Sequence, residues 1–328
     1  MMNLLRIAYR AFTPVLAATL ALTAASSVQA QDWPQRPVRI IGPYAAGGNA
    51  DVLARLTAQR LSEALGQQFI VENRVGGNGV VAAEAVARSA PDGYTLMWGV
   101  LPPVAIQPAM AKVPYDSIKD FAPVSVVGTN PFVLVVNKDI PVKNVKEFIA
   151  WVKSQPNKLS YAEGAVGSVT HLAMALFLKR AGIEMTNVSY RGNNPALTDV
   201  VAGHIPTMFS NVSDALPQIK AGSIRPIAVS SEQGVPQLPD TPTVADSFPG
   251  YSAITWNGLM APAGTPKPII DKMATIIAKA CKDPKFIEKL ANLGADPLGN
   301  TPEQFAALIA RDLKTWGEAV EGAGLKMK

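Results

Sequence analysis

Residues 38–66, VRIIGPYAAGGNADVLARLTAQRLSEALG, contain the pattern that decides the fold. The stretch opens with an apolar strand at 38–41 and passes through a glycine-containing loop into a helix predicted over 51–65. Leucine and alanine recur there at helical spacing, and Gly66 stands where the helix would end. A strand, a loop and an amphipathic helix form one β/α unit, and such units build parallel sheets covered by helices on both faces.

The same alternation continues along most of the chain. Further strands are predicted at 69–71, 94–98, 124–127, 133–136, 159–162, 188–190, 206–209, 226–229 and 253–260. Further helices are predicted at 80–89, 145–153, 169–179, 196–202, 215–221, 268–293 with a break near Pro284, and 302–320. The chain is therefore an α/β protein.

The rhythm changes at Asn130-Pro131, where two extended segments follow each other with only a short break. We interpret this place as a crossing between two lobes. The C-terminal helices have no strand partner of their own, so we expect them to return to the first lobe. Residues 31–130 with 253–328 would then form lobe 1, and 131–252 would form lobe 2. Ligand sites in such sheets lie at the carboxyl ends of strands and between domains.

Residues 1–30 predict a secretory signal peptide. Arg6 and Arg10 give a positive start, 11–25 is free of charge, and Val28-Gln29-Ala30 places small residues at −3 and −1 of a cleavage site. The apolar stretch of about fifteen residues is shorter than the roughly 20 that a membrane span needs, with an N-terminal anchor as the alternative. We expect export to the periplasm, cleavage after Ala30 and a mature chain that begins at Gln31 and does not insert into the membrane.

Composition excludes several classes of function. The formal net charge of +5 is spread along 328 residues, unlike the clustered basic surface of a nucleic-acid-binding protein. The single cysteine, Cys281, excludes an internal disulfide, and its place in a periodic helix predicts buried packing. Two histidines, and no Gly-x-Ser-x-Gly, His-Glu-x-x-His or Cys-x-x-Cys motif, offer little to a metal site or a hydrolase. We expect no metal, cofactor or catalytic residue.

Residues 43–51, Pro-Tyr-Ala-Ala-Gly-Gly-Asn-Ala-Asp, form the first candidate site. Glycines let the backbone approach a ligand, and the helix start offers unpaired N–H groups and a positive dipole end to an anion. We expect Asp51 to cap the helix. The alternative is an ordinary turn between a strand and a helix. The predicted ligand-binding residues are Tyr44, Ala46, Gly47, Gly48 and Asn49.

Residues 163–171, Glu-Gly-Ala-Val-Gly-Ser-Val-Thr-His, hold the equivalent place in the second lobe. Their hydroxyls and amides are predicted to form a second anion seat, although the histidine could equally be a helix-terminal residue bonded to a neighbouring carbonyl. Facing each other across a hinge, the two loops would grip one carboxylate. The predicted ligand-binding residues are Ala165, Gly167, Ser168, Thr170 and His171.

A third loop, 209–214, offers Ser210 and Asn211 as polar contacts at the end of a second-lobe strand. Either Trp98 or Asn211 is expected to line the distal end of the pocket and to set specificity.

Other functions remain open at this point. Residues 77–82, Gly-Asn-Gly-Val-Val-Ala, weakly match a dinucleotide fingerprint, but the expected acidic residue after the next strand is missing, which favours a tight turn into a helix. An exported hydrolase would use Ser168 and His171, whose spacing on one loop suits a base and a nucleophile poorly. A ligand-dependent partner of a sensor kinase is a further alternative.

Several motifs in collinear order resemble those of the substrate-binding proteins of tripartite tricarboxylate transporters, the Bug-type periplasmic receptors. They occupy 33–41, 46–51, 65–74, 91–96, 114–116, 167–172, 190–196, 256–266 and Trp316-Gly317. The resemblance implies a two-lobed periplasmic-binding-protein-like (type II) fold with a cleft between the lobes. It also implies Venus-flytrap closure on a small carboxylate, two membrane subunits as partners, a monomeric receptor and no catalysis.

In that family, the two loops described above hold a ligand carboxylate, partly through ordered waters, which carries over to 44–49 and 165–171. The chain departs from the family pattern at three places. Tyr44-Ala45 replaces Phe-Pro, Met174-Ala175 replaces Gly-Glu, and Ser210-Asn211 stands where an acidic residue is common. Because that acid would pair with a ligand ammonium group, its loss favours plain or aromatic carboxylates over amino acids. We therefore expect the ligand to be a di- or tricarboxylate or an aromatic carboxylate.

Overall fold

A computed structural model describes residues 33–190 and 192–326, so the predicted signal peptide lies outside the described residues. Within this part the strands join into one ten-stranded sheet. The strands are β1 (Val38–Gly42), β2 (Phe69–Asn73), β3 (Thr95–Val100), β4 (Phe121–Asn137), β5 (Ser160–Glu163), β6 (Thr186–Ser189), β7 (Thr207–Asn211), β8 (Ile224–Val229), β9 (Ile254–Pro262) and β10 (Asp296–Pro297).

Helices cover the sheet. They are α1 (Asn49–Leu65), α2 (Val80–Ala87), α3 (Gln107–Met110), α4 (Val145–Ser154), α5 (Val169–Ala181), α6 (Asn193–Ala202), α7 (Val212–Lys220), α8 (Lys267–Ala280), α9 (Pro284–Asn292) and α10 (Pro302–Gly322). A π-helical segment, Pro102–Ile106, precedes α3 and is not anticipated by the sequence pattern. Gly66 ends α1 in the left-handed conformation, as predicted. None of the helices within 33–190 and 192–326 combines the length and the apolar character that crossing a membrane requires.

The strand order is β2-β1-β3-β9-β4-β7-β5-β6, with β8 and β10 also paired to β4. The expected parallel pairing holds for β1 with β2 and β3, and for β5 with β6 and β7. It is wrong for β4 and β9, which run antiparallel to all their neighbours. Parallel neighbours need crossover connections, and β4 and β9 are not joined to their neighbours in the sheet by β-α-β units.

The predicted break at Asn130-Pro131 is also wrong, because β4 is one continuous strand. Proline lacks the N–H that a ladder needs, which disfavours it inside a paired strand. Pro131, however, is the last β4 residue paired with β9, and from Phe132 onward β4 pairs with β7 and β8. The missing donor therefore falls where the partner strand changes. This change lies beside the lobe boundary at 130/131, while the division of the chain into residue ranges stays a prediction.

From Phe132 onward, alternation along β4 places its side chains in two different cores. Val133 and Val135 pack with α6 and α7, whereas Phe132 and Leu134 face a larger core that includes α5 and α10. In that larger core, Trp256 of β9 packs edge-on against Phe305 of α10, with ring centroids 5.0 Å apart. The C-terminal helix α10 thus packs against elements that precede residue 131 and against elements that follow it, and not against those of the predicted lobe 1 alone.

Cys281 is buried, as predicted, and its Sγ lies 3.3 Å from the carbonyl oxygen of Val127. Burial raises the pKa of this thiol to about 11, so it remains an unreactive packing group at neutral pH. Residues 77–79 form a short 3₁₀ turn into α2, as favoured over the dinucleotide motif. A Cβ on Gly79 would lie 2.9 Å from Pro103 Cγ, so this glycine permits close packing.

Candidate functional site

The first predicted loop leads into helix α1, whose first-turn amides have no side-chain cap. Helix α1 begins at Asn49, two residues earlier than predicted, and its N-cap is Gly48, which contributes no side-chain cap. The expectation that Asp51 is the cap is therefore wrong. The early start escaped the sequence pattern because Asn49 is polar and Ala50 is a small residue that gives only a weak periodic signal. The amides of Asn49, Ala50 and Asp51 are the first of the helix, so the helix itself supplies them no acceptor.

Asp51 instead braces the loop from within the first turn. Its carboxylate accepts hydrogen bonds from the Gly47 amide at 2.9 Å, from Arg55 Nε at 2.9 Å and from Asn73 Nδ2 at 2.8 Å. Burial raises the pKa of Asp51, but the bonds from Arg55, Gly47 and Asn73 outweigh burial and hold it at about 2. Gly47 has φ +86°, a conformation that favours glycine. The loop is thus held by an ionised internal acceptor.

A cavity of about 410 Å³ lies between the start of α1 and the start of α7. Its size falls in the range of small-molecule sites. Four predicted residues line it: Tyr44, Gly48, Asn49 and Asn211. The other lining residues were not singled out by the sequence as ligand contacts: Ala50, Asp51, Val100, Pro102, Asn130, Ser213, Asp214, Thr255 and Asn257.

Helix α7 begins at Val212, three residues earlier than predicted, which makes Asn211 its N-cap and places Asp214 in its first turn. Asp214 Oδ2 accepts from Asn211 Nδ2 at 2.8 Å and from Asn193 Nδ2 at 2.7 Å. Ser210 is fully buried and accepts from Asn193 Nδ2 at 3.1 Å, so it holds Asn193 instead of lining the cavity. Of the third loop, Asn211, Ser213 and Asp214 reach the site.

The floor of the cavity comes from β4 and β9. Asn257 Nδ2 of β9 donates to Asn130 Oδ1 of β4 at 3.1 Å, and Asn130 Nδ2 donates to the Gly294 carbonyl at 2.7 Å. Trp98 Nε1 donates to Asn257 Oδ1 at 3.3 Å. Trp98 itself is fully buried and is not among the lining residues, so it supports the floor from behind.

The loop at 163–171 uses its polar groups internally. Ser168 caps α5 by accepting the His171 amide at 3.2 Å, and its hydroxyl is 3.0 Å from that of Thr170. The Gly167 amide donates to His171 Nδ1 at 3.0 Å, and the same nitrogen lies 2.8 Å from the fully buried Glu163 Oε2. His171 Nδ1 therefore accepts a hydrogen bond from a neighbouring amide, a different arrangement from the helix-terminal contact to a carbonyl weighed above. Because the lone pair of Nδ1 is taken by that amide, the nearby Glu163 Oε2 has no hydrogen-bond partner.

The loop at 163–171 lies close to α3, which precedes residue 131, but it does not line the cavity. A Cβ on Gly167 would be 3.1 Å from Met110 Cε of α3. Ala46 and Gly47 of the first loop also stay outside the lining. The five second-loop residues are likewise absent from it, namely Ala165, Gly167, Ser168, Thr170 and His171. For these residues, ligand binding stays a prediction.

A mixed sheet whose two halves are joined by one long strand, β4, with a cavity between two helix N-termini, is the architecture of a two-lobed solute-binding protein. The model of the tripartite tricarboxylate transporter family receptor matches residues 53–325. BugT of Bordetella pertussis is 35% identical over 307 residues, covering 93% of this chain and 94% of that protein.

Two solved structures are also similar. Rpa4515 of R. palustris with adipate is 36% identical with a TM-score of 0.72, covering 89% of this chain and 98% of its own. A TctC solute-binding protein from Polaromonas without ligand is 28% identical with a TM-score of 0.82, covering 88% of this chain and 99% of that protein. The chain belongs to the tripartite tricarboxylate transporter receptor family, the Bug-type periplasmic solute-binding proteins. It has the expected two-lobed periplasmic-binding-protein fold.

Proposed function

We propose that this receptor captures one small carboxylate between the start of α1 and the start of α7 and delivers it to the membrane subunits of a tripartite transporter. The observation that carries the proposal is the cavity of about 410 Å³ bounded by both helix starts. The first-turn amides of α1 and the positive end of its dipole suit an anion. The adipate bound by Rpa4515, at 36% identity, supports a carboxylate as that anion.

We propose that capture works by hinge closure around β4 and β9. Strand β4 carries the sheet from one half to the other, pairing first with β9 and then with β7 and β8, and β9 begins beside the same place, with Ile254 opposite Pro131. The chain superposes better on the ligand-free Polaromonas structure than on Rpa4515 with adipate, although its identity to the former is lower. An open arrangement of the lobes in this chain accounts for that order. Closure would then bring the backbone of 165–171 towards the docked ligand.

The energetics allow useful affinity. A hydrogen bond to a charged group contributes about 1.5–3 kcal/mol. Three or four such bonds, less the cost of ordering the ligand and closing the lobes, reach the roughly −8 kcal/mol of a micromolar complex.

The geometry favours a receptor without catalysis over an exported hydrolase. His171 Nδ1 is turned to the Gly167 amide and to Glu163, while the Ser168 hydroxyl accepts the backbone amide of His171. A serine nucleophile needs its hydroxyl bonded to the ring of the base. The polar groups of this loop therefore cap helix α5.

We also propose that residues 1–30 direct export and are removed after Ala30, and that the receptor acts in the periplasm as a monomer. Lobe 1 comprises 31–130 and 253–328, and lobe 2 comprises 131–252. The partner switch in β4 beside Pro131 supports the first of these boundaries.

Thermal-shift screening tests the function directly. We expect mono- or dicarboxylates, aromatic acids included, to raise the melting temperature of the purified chain. The shift should grow with ligand concentration, because a ligand that binds only the folded state stabilises it by mass action. Uncharged sugars and cationic amines serve as the negative set. Stabilisation by that set alone would overturn carboxylate capture.

A further inference from the structure

We propose that Asp214 makes this cavity select carboxylates that carry a hydrogen-bond donor, a hydroxyl or an ammonium group, at the end remote from the docked carboxylate. This inference rests on the proposed function, because it assumes that the start of α1 receives the carboxylate. It reverses the sequence-based preference for plain carboxylates, which was drawn from the absence of an acid at Ser210-Asn211. The acid is present in the cavity four residues after Ser210.

The position of the Asp214 carboxylate is set by two bonds to one of its oxygens. Asn193 Nδ2 and Asn211 Nδ2 donate to Oδ2 at 2.7 and 2.8 Å, and the Asn193 amide is held in turn by Ser210. The other oxygen, Oδ1, has a long contact of 3.5 Å with the Ser213 hydroxyl. One oxygen is therefore fixed, and the second retains acceptor capacity at a residue that lines the cavity.

The chemistry of that oxygen defines the complementary ligand group. An ionised carboxylate has only acceptor sites, so a partner must donate a proton to it. The amides of Asn193 and Asn211 are neutral, so they orient Asp214 without cancelling its charge. A ligand methyl group would leave the oxygen without a partner, and a second ligand carboxylate would meet like charge.

Asp51, the other acid that lines the cavity, is used differently. Its carboxylate accepts from Arg55, Gly47 and Asn73, and it forms an ion pair with Arg55 at 2.9 Å. Its charge is balanced and its oxygens are occupied. The cavity is therefore polarised, with donors at the start of α1 and an acceptor at the start of α7.

The test uses six-carbon acids that differ only at the remote end: hexanoate, 6-hydroxyhexanoate, 6-aminohexanoate and adipate. A four-carbon series of the same design, from butyrate to succinate, covers a shorter reach across the cavity. Calorimetry on the full mature chain should show at least tenfold tighter binding of the hydroxy or amino acid than of the methyl-ended acid and the diacid, as expected for a hydrogen bond to a charged group. Comparing the hydroxy acid with the amino acid shows which hydrogen-bond donor is preferred.

Asp214→Asn should reduce that preference to about twofold and should improve diacid binding. Asp271→Asn, the same substitution on exposed α8 outside the cavity, should leave the wild-type order intact. If the wild-type protein binds the four six-carbon acids equally, the proposed selectivity is overturned while carboxylate capture stays in place. This comparison uses only the wild-type protein, so it does not depend on whether a variant folds. A preference that survives in Asp214→Asn would overturn the role of Asp214. Failure of every acid to bind would instead overturn the proposed function.

Discussion

The loops at 43–51 and 163–171 share one architecture and use it differently. Each has a glycine with positive φ just before the N-cap, Gly47 at +86° and Gly167 at +74°. In each, the amide of that glycine donates to the side chain of the third helical residue, Asp51 or His171. The N-caps differ, since Gly48 has no side chain while Ser168 bonds to its own helix.

This difference decides which loop has donors to offer. At the start of α1, the glycine cap leaves all first-turn amides to a guest, and the cavity lies there. At the start of α5, the serine cap already satisfies the His171 amide. A strong cap makes a stable helix start, and a weak cap leaves room for an anion to take the place of the cap.

Gly48→Asp should have the largest effect, because it would give the loop at 43–51 a side-chain cap like the one at the loop at 163–171. Gly48 has φ −74° and ψ 165°, which any residue adopts, and a Cβ there would meet only the Ala45 carbonyl at 3.8 Å. The new carboxylate would cap α1 and compete with the ligand, so we expect a loss of carboxylate affinity on the order of 100-fold. Stability should rise by a few tenths of a kcal/mol.

Calorimetry and urea unfolding measure the two effects of Gly48→Asp separately. Gly48→Ala is the matched control, because it adds a Cβ without an acceptor, and its affinity should stay within about threefold of wild type. Unchanged affinity in Gly48→Asp would show that the carboxylate docks elsewhere.

Asp51→Asn should loosen the first loop and cost about 1–2 kcal/mol of unfolding free energy at pH 7. Because the folded-state pKa of about 2 lies below the ordinary value of 3.8, the carboxylate stabilises the fold above pH 4. That contribution is lost as pH falls from about 4 to about 2. The wild-type-minus-variant difference in urea unfolding should therefore shrink between pH 7 and pH 2.5.

Asp92→Asn is the control for Asp51→Asn, because Asp92 pairs with Arg36 on the exposed surface. Such a pair contributes little, so the control should show a difference near zero at both pH values. A difference for Asp51→Asn that does not depend on pH would contradict the role of its charge.

Ser168→Ala should have the smallest effect on binding. Loss of the α5 cap should lower the unfolding free energy by about 1 kcal/mol, while affinity should change by less than about threefold. Thr301→Ala removes the cap of α10, whose hydroxyl accepts from the Gln304 amide, and should match the stability loss. An affinity loss above tenfold in Ser168→Ala alone would place its hydroxyl on the ligand, as the sequence predicts.

The helix starts show where prediction from sequence stopped. The strand-loop-helix units around residues 38–66 and 159–179 follow from apolar spacing and from Gly66, and the structure confirms them. The starts of α1 and α7 fall earlier than predicted, because small polar residues such as Asn49 and Ser213 give no periodic signal. Because the two helices begin earlier, their N-caps are Gly48 and Asn211, and Asp214 lies in the first turn of α7 beside the cavity.

The sequence by itself determined the β/α units, the family and the loop at 43–51 as a candidate anion site, because hydrophobic spacing and glycine conformations are local properties. Only the tertiary structure decided which second helix start faces that loop. The pairing of β4 with β9 and then with β7 brings Asn130, Asn257 and Asp214 to one cavity. Such proximity depends on strand order and register between residues more than 80 positions apart, as in the bond between Asn130 and Asn257, and no local pattern encodes it.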